Sequence, residues 1–433
     1  DKIYQVPRWE SKLETIYIHG GIALQGQVGI QGSKNAVLPV MAASILTRGT
    51  SVISNCPRLT DVYHMQTLLE SMGCTVVRDQ DKIKITSGHV DLFHALRGMP
   101  EHAVRGMRSS IILLGALLGA VGEVRMEYPG GCVIGDRPID IHIEALKKMN
   151  VIFEESGTGL SARTTGLKGA DILLPVPSVG ATENLLLAGV RANGTTVIRG
   201  AAREPEIKVL ADYLTACGAD ITGAGTSTIV VQGTEALYGC EFRIPGDRIV
   251  AGTYLAACMA AGGEILLKGA PTEQMQAVMD YARKMGAQCQ KTGDGMYVQV
   301  HERLSAPDRL VTGPYPDFPT DLQSPFLSAL ALADGECEIE ETIFENRFHT
   351  VPYLQRMGAD ITQTDSRHVS VQGVELLYGF TVTAKELRGG AALVVAGVAA
   401  KGETVVDGGR FIERGYENIC RDLRELGVRI YGV

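Results

Sequence analysis

Cys132 lies in the run Pro129-Gly130-Gly131-Cys132-Val133-Ile134-Gly135-Asp136-Arg137-Pro138. Glycines before and after the thiol suit a mobile loop whose backbone a ligand can approach closely. The run follows a predicted strand over 124–128. It leads into a predicted helix that starts at Pro138, a favoured first helical residue. A thiol near a helix N-terminus and near Arg137 is expected to have a lowered pKa. Such a group can act as a general acid or as a nucleophile. The plainer alternative is an inert buried cysteine, which suits Cys217, Cys258 and Cys420 on their apolar stripes. His142 follows the same helix start and reads as a structural residue.

Basic residues recur where other helices are predicted to begin. Buried helices open with Ser33-Lys34-Asn35, Arg108-Ser109-Ser110, Ser178-Val179-Gly180, Asp247-Arg248, Thr320-Asp321 and Arg388-Gly389-Gly390. Outer helices open with Arg137-Pro138-Ile139-Asp140, Glu345-Asn346-Arg347 and Arg414-Gly415. A helix N-terminus carries about half a positive charge and so prefers acids. Lys34, Arg108, Arg137, Arg248, Arg347, Arg388 and Arg414 at that end are unfavourable unless an anion lies among them. The set points to a polyanionic ligand, phosphate or carboxylate. The alternative is that each cation pairs with a neighbouring acid. Asp321 stands as an acid among these starts: a base, an acceptor for a sugar hydroxyl, or a plain N-cap.

The elements that must position these groups repeat along the chain. Six segments end a helix and enter a strand in the same way: LLESMGCTV, LKKMNVIF, LTACGADI, ARKMGAQC, LQRMGADI and LRELGVRI. Their cap residues are Gly73, Asn150, Gly218, Gly286, Gly358 and Gly427, spaced 68 to 77 residues apart. Glycine or asparagine there predicts a left-handed helix C-cap. The preceding helices share an apolar stripe, for example Ile207, Leu210, Ala211, Leu214, Cys217, and Met275, Val278, Met279, Ala282, Met285. Another shows Tyr416, Ile419, Cys420, Leu423, Leu426. Helices of small apolar residues come before them, such as AVLPVMAASIL, VAGTYLAACMAA and GAALVVAGVAA. A helix apolar nearly all round is buried. Each unit reads as strand, buried helix, strand, outer helix, strand, strand. Six units of about 70 residues divide into two domains of three, with buried helices inside and sheets and outer helices outside.

Composition removes several function classes. Of 433 residues, 45% are hydrophobic and 21% charged, so the chain should fold as a globular α/β protein. Lys+Arg 41 against Asp+Glu 49 leaves −8, the wrong sign for non-specific nucleic-acid binding. The longest apolar run, 111–121, is too short to span a membrane, which takes about 20 residues. The nine cysteines form no CxxC and no zinc spacing. With no recognisable secretory signal, they suggest a reducing cytoplasm. No histidine pattern suggests a metal, and GIQGSKNA has the wrong spacing for a phosphate-binding Walker loop, so no cofactor is indicated.

From about Ile16 onward the chain resembles the UDP-N-acetylglucosamine enolpyruvyl transferase family. The motifs are GSKNAVLP, MRSSI, PGGCVIGDRPIDIHI, PSVGATEN, AAREPEI, FPTDLQ, ETIFENRF and RGYENI. The resemblance implies a two-domain inside-out α/β barrel of six repeats, with domains at 34–244 and at 1–33 plus 245–433. It places the active site in the cleft between them. It implies transfer of enolpyruvate from phosphoenolpyruvate to the sugar 3-hydroxyl with phosphate release, the first committed step of peptidoglycan synthesis. Lys34, Arg137 and Arg414 then hold the phosphate with Asn35 beside them, and Arg347 and Arg388 complete the anion clamp. Cys132 matches the proton donor to C3, which can also form a thioether adduct and react with fosfomycin. Asp321 matches the residue that takes the hydroxyl proton. Arg108, Arg137, Pro138, Ile139, Asp140, Ile141, Ser178, Val179 and Ile343 match positions that hold the uridine diphosphate sugar. The implied partners are these two small molecules, with no nucleic acid, membrane or obligate protein partner.

Three positions depart from the family's pattern. Glu386 stands where Asp is usual, Val250 replaces Glu, and Lys208-Val209 replaces Val-Asp. Two other readings therefore stay open. One is a catalytically silent paralogue that binds the nucleotide sugar and regulates a partner. The other is an enolpyruvylshikimate-phosphate type of transferase, although that family has Ser where Asn35 stands and lacks the loop cysteine.

Overall fold

The computed structural model describes residues 13–88, 90, 99–130, 139–155, 157 and 159–433. Their mixed α/β fold divides into two compact units. One draws on the described residues within 32–244, the other on 13–31 and 245–433. Each has its own hydrophobic core.

All six cap positions adopt the left-handed conformation that the spacing predicts. Gly73, Asn150, Gly218, Gly286, Gly358 and Gly427 have φ of 93°, 70°, 107°, 107°, 99° and 89°. Asn150 is the one that carries a side chain there, and its Nδ2 donates to Gly166 O at 3.0 Å. The apolar stripes that run into these caps are buried, Ile207 to Cys217, Met275 to Met285 and Tyr416 to Leu426 alike.

After each cap the chain enters an antiparallel pair that continues into a small sheet. Thr75–Asp79 pairs with Lys82–Thr86, which pairs with Thr50–Ser54. The edge of that sheet is Glu241–Arg243, parallel to Thr50–Ser54 and drawn from about 190 residues downstream. The other unit borrows in the same way from the chain start. Leu24–Gly29 runs parallel to Gly263–Lys268, and Thr15–His19 lies antiparallel between Glu403–Asp407 and Arg429–Gly432. Burial alternates along these strands, as at Ile83 and Ile85 or Val369 and Val371, so each sheet buries one face and leaves the other to water.

The small-residue segments form the buried helices. In the second unit, Arg248–Ala261, Gln323–Leu330 and Leu387–Ala399 pack on one another. All thirteen residues of Leu387–Ala399 are buried. Glycine and alanine allow that close approach, and a Cβ on Gly252 would reach Leu322 Cδ1 at 2.3 Å. In the first unit, Leu113–Ala120 packs on Val179–Gly189, and Lys34–Ala43 packs on Thr60–Ser71 and Pro205–Ala216. Two predicted helices are partly 3-10: Ser44–Leu46 ends the first and Arg108–Ile112 begins the second. No helix among the described residues is long and apolar enough to cross a membrane.

Candidate active site

In the first unit the expected residues gather at helix starts. Ser33 caps Lys34–Ala43, its Oγ accepting from Ala36 N at 3.4 Å. Lys34 is the first helical residue, with Asn35 half-buried beside it. The Lys34 ammonium lies 3.2 Å from the buried Asp61 carboxylate, in the first turn of Thr60–Ser71. Ser178 caps Val179–Gly189, with its Oγ accepting from Ala181 N at 3.3 Å. Arg108 opens the 3-10 turn before Leu113–Ala120. Ile139 is the N-cap position of Asp140–Lys147, and Asp140 and Ile141 are its first residues, Asp140 exposed.

One buried amide ties these starts together. Asn184 Oδ1 accepts from Gly115 N at 2.6 Å, and its Nδ2 donates to Ile111 O at 3.1 Å and lies 2.8 Å from His142 Nδ1. The helices that begin near Arg108, Asp140 and Val179 are thereby fixed against each other. Burial, and then the Arg108 charge, lower the His142 pKa to about 4, against an opposing pull from Asp140.

The second unit builds a different arrangement. Asp321 accepts from Arg347 Nη2 at 2.6 Å and from Arg388 Nη2 at 2.9 Å. Both arginines are nearly fully buried, while the Asp321 side chain keeps 25% of its exposure. Glu386, 3.9 Å from Arg347 Nη1, caps Leu387–Ala399 by accepting from Arg388 N at 2.7 Å and from Gly389 N. Glutamate at this departure position therefore caps the helix and faces the arginine at once. Burial alone would lower the Arg388 pKa, but Asp321, Tyr416 and Asp247 hold it above its ordinary value. Behind Asp321, Thr320 Oγ1 donates to Glu341 Oε2 at 2.9 Å and accepts from Arg347 Nε at 3.2 Å. Glu341 is fully buried, and its Oε1 accepts from Ile343 N at 2.8 Å and Phe344 N at 3.1 Å.

Several expectations need correction. Asp321 is not an N-cap: that position belongs to Pro319, with no side-chain bond, and the Asp321 carboxylate goes to the arginines. The cations do not stand without acids, since Lys34, Arg347 and Arg388 each meet a carboxylate. Arg248 lies over the Tyr315 ring at 5.8 Å, and Asp247 caps its helix through Ile249 N and Val250 N. Neither Arg347 nor Arg414 opens a long outer helix. Arg347 precedes the 3-10 turn Phe348–Thr350, and Arg414 follows the short helix Gly409–Ile412, with Asn418 capping Ile419–Glu425. The segment after Arg414 is held by Gln31, which donates to Gly415 O at 3.1 Å and accepts from Glu417 N at 2.7 Å. Cys132, Arg137 and Pro138 lie outside the described residues.

Asp61, Glu341 and Asn184 carry no individual mark in the sequence, and Thr320 stands out there only as a helix start beside Asp321. Asp61 looks like an ordinary acid in a first helical turn, and Asn184 follows Thr182 and Glu183 at the edge of an apolar run. The signal for Glu341 is its place at the start of ETIFENRF, where it continues the inward alternation of Cys337 and Ile339 and so puts an acid on the buried face. Chemically, the first unit offers donors that can hold an anion. The second offers a carboxylate whose direction is fixed and whose ionised form two guanidinium groups favour.

A family model described as EPSP synthase (3-phosphoshikimate 1-carboxyvinyltransferase) matches residues 18–423. A UDP-N-acetylglucosamine 1-carboxyvinyltransferase 2 from Caldanaerobacter subterraneus subsp. tengcongensis is 44% identical over 413 residues, 95% of this chain and 98% of that protein. A UDP-N-acetylglucosamine 1-carboxyvinyltransferase from Oleidesulfovibrio alaskensis is 43% identical over 96% of this chain and 99% of its own. Among solved structures, the enolpyruvyl transferase NikO from Streptomyces tendae is similar with a TM-score of 0.85 at 22% identity, over 97% of this chain and 99% of that one. EPSP synthase from Acinetobacter baumannii gives 0.73 at 18% identity, over 96% and 100%. At those identities the two structures speak for the fold alone.

Proposed function

The chain belongs to the enolpyruvyl transferase family described as EPSP synthase, and we propose that its reaction is that of its curated relatives. It transfers the enolpyruvyl group of phosphoenolpyruvate to the 3-hydroxyl of UDP-N-acetylglucosamine and releases phosphate, the first committed step of peptidoglycan synthesis. The observation that carries this reading is identity of 42–44% over about 95% of the chain to relatives of that one activity.

The residues are assigned as follows. The sugar oxygen forms a bond to C2 of phosphoenolpyruvate while Asp321 takes the hydroxyl proton and Cys132 gives a proton to C3. A proton then leaves C3, the C2–O bond to phosphate breaks, and the enol ether remains on the sugar. Lys34, Arg137 and Arg414, with Asn35, hold the phosphate, and Arg347 and Arg388, which also bind Asp321, complete the anion clamp. Arg108, Arg137 to Ile141, Ser178, Val179 and Ile343 bind the nucleotide sugar. The pairing of Asp321 with two buried arginines supports its role, because a base must be ionised before it can accept a proton. The family's inside-out barrel of six repeats, with domains at 34–244 and at 1–33 plus 245–433, belongs to the same proposal, as does a cytoplasmic setting. The six left-handed caps support the repeats.

The test is phosphate release with both substrates, with each omitted, and with 3-phosphoshikimate in place of the nucleotide sugar. Release that needs both proposed substrates is expected, and Cys132→Ala should lose it. Release with 3-phosphoshikimate alone would overturn the substrate assignment, and no turnover by the wild-type protein would favour a binding regulator. Fosfomycin should add to Cys132 in the presence of the nucleotide sugar, which peptide mass spectrometry reads directly.

A further inference from the structure

Cys217 is the C-cap residue of the helix Pro205–Ala216, one position before the left-handed Gly218. Cys240 lies 23 residues on, just before the edge strand Glu241–Arg243. Their sulfur atoms are 3.5 Å apart. Cys217 is buried, while Cys240 is half-buried beside the exposed Tyr238. The apolar stripe explains why Cys217 is buried, but it does not explain a second thiol against it.

The internal repeat shows what fills this corner elsewhere. Tyr238 N donates to Cys217 O at 2.9 Å, and 140 residues later Tyr378 N donates to Met357 O at 2.8 Å. The segments VQGTEALYGCEF and VQGVELLYGFTV align without a gap at that same offset, so Cys240 stands where Phe380 does. Two further units repeat the bond, from Lys168 N to Met149 O and from Ser305 N to Met285 O. There Ala170 and Pro307 take the place of Cys240. Methionine and an apolar neighbour thus satisfy the packing in three units, and a pair of thiols occupies both positions in this one.

The pair is also arranged for reaction. A disulfide holds its sulfurs about 2.05 Å apart, so these must close by roughly 1.5 Å. Cys240 sits between two short strands, Leu237–Tyr238 and Glu241–Arg243, where the chain is irregular and such a shift is available. Burial pushes the Cys217 thiol up to about 12, with Cys240 adding to the effect. Burial raises Cys240 as well, but there the hydrogen bond from Cys217 opposes it. Cys240 is therefore the sulfur that ionises first and the one that solvent reaches.

We propose that Cys217 and Cys240 are a reversible oxidation site, converted to a disulfide by a hydroperoxide. The Cys240 sulfur, as thiolate, attacks a peroxide oxygen. The O–O bond breaks, leaving a sulfenic acid, and the departing oxygen takes up the proton lost by Cys240 to form water when the oxidant is hydrogen peroxide. The Cys217 sulfur then attacks Cys240. The S–S bond forms, the S–O bond breaks, and hydroxide leaves with the Cys217 proton as a second water. Both sulfurs are oxidised and both peroxide oxygens reduced, and a dithiol reverses the bond by exchange. The bridge ties the helix Pro205–Ala216 to the strand that closes the sheet of Thr50–Ser54. This inference is independent of the substrate reading.

The test adds hydrogen peroxide to the folded full chain, blocks the remaining thiols in denaturant with iodoacetamide, and maps the peptides by mass spectrometry. The expected result is a cross-link between Cys217 and Cys240, lighter by two hydrogen atoms and lost after dithiothreitol. In Cys217→Ser the sulfenic acid has no second thiol to resolve it, so dimedone should trap it on Cys240. In Cys240→Ser, Cys217 should stay reduced. Cys240 carried to the sulfinic acid with Cys217 still free, no oxidation of either residue, or cross-links scattered among the cysteines would overturn the proposal. If either variant does not fold, the wild-type peptide map decides alone.

Discussion

The two units treat charge at their helix starts in opposite ways. In the unit within 32–244, the organising group is neutral: the Asn184 amide binds two backbone groups and one imidazole, and Arg108 lies near that ring. In the unit that ends the chain, the organising group is ionic: Asp321 joins two buried arginines, with Glu386 and Glu341 behind them. A neutral frame adds no charge of its own to the cations of this unit, Lys34 with its partner Asp61 among them, which suits binding an anion. An ionic frame supplies its own anion, since two buried guanidinium groups would otherwise remain uncompensated. What it presents is a carboxylate with a fixed direction, which suits proton transfer. Repeated elements have thus been given different electrostatic tasks by a few polar substitutions at their helix starts.

The contrast breaks most visibly at Asp321. Asp321→Asn removes a base and also uncovers Arg347 and Arg388. Turnover should fall roughly 10²- to 10⁴-fold, and denaturant unfolding should show a loss of about 3–5 kcal/mol from breaking a buried pair. Unchanged turnover in the folded variant would end the assignment of Asp321 as base. In the other unit, Lys34→Met should act mainly on ligand binding. The KM for phosphoenolpyruvate should rise roughly 10- to 100-fold, the scale of a charged hydrogen bond. If kcat collapsed and KM did not move, the division between a binding unit and a chemical unit would be wrong.

A finer cut tests what holds Arg347. Its Nε donates to Thr320 Oγ1, whose own proton goes to Glu341. Thr320→Val keeps the side-chain shape and removes both bonds. It should lower kcat roughly 10-fold, about the worth of one or two hydrogen bonds. Thr320→Ser restores the hydroxyl and should restore kcat. Equal rates for valine and serine would show that the Asp321–Arg347 pair needs no support from behind.

Much of this frame could be read from the residues. The six caps predicted their own backbone geometry, because a left-handed position admits glycine and asparagine and few others. The buried helices announced themselves through small apolar residues on every face. Lys34, Ser178 and Arg388 were recognised at helix starts because N-terminal chemistry is local. Pairing was not legible, because it depends on contacts distant in sequence. Asp61 is 27 residues from Lys34, and Asp321 is 67 from Arg388. A long-range partner leaves no periodicity behind. The same reason hid Asn184, whose value lies in groups 42 to 73 residues away. The helix starts at Arg347 and Arg414 are not legible either, because a 3-10 turn and a short separate helix intervene there.

The smallest expected effect sharpens the comparison from within the first unit. Glu183, on the same helix as Asn184, is buried, and its carboxyl is pushed well above the ordinary range, first by burial and then by the charges of Glu206 and Glu204. An unfolded glutamate releases its proton near 4.5, while the folded one keeps it to higher pH. Over that interval the native state binds more protons than the unfolded state, so stability falls as pH rises. His142 has the opposite sign: with its folded pKa at about 4 against 6.5, the unfolded state binds the proton first, and stability falls as pH drops through that window. Glu183→Gln keeps the shape and removes the titration. Relative to the wild type, it should gain on the order of 1 kcal/mol between pH 5 and pH 8, or about 2–4 °C in melting temperature. Melting curves that run parallel for the two proteins across that range would mean that Glu183 is ionised in the folded state, and that the frame of the first unit is not neutral after all.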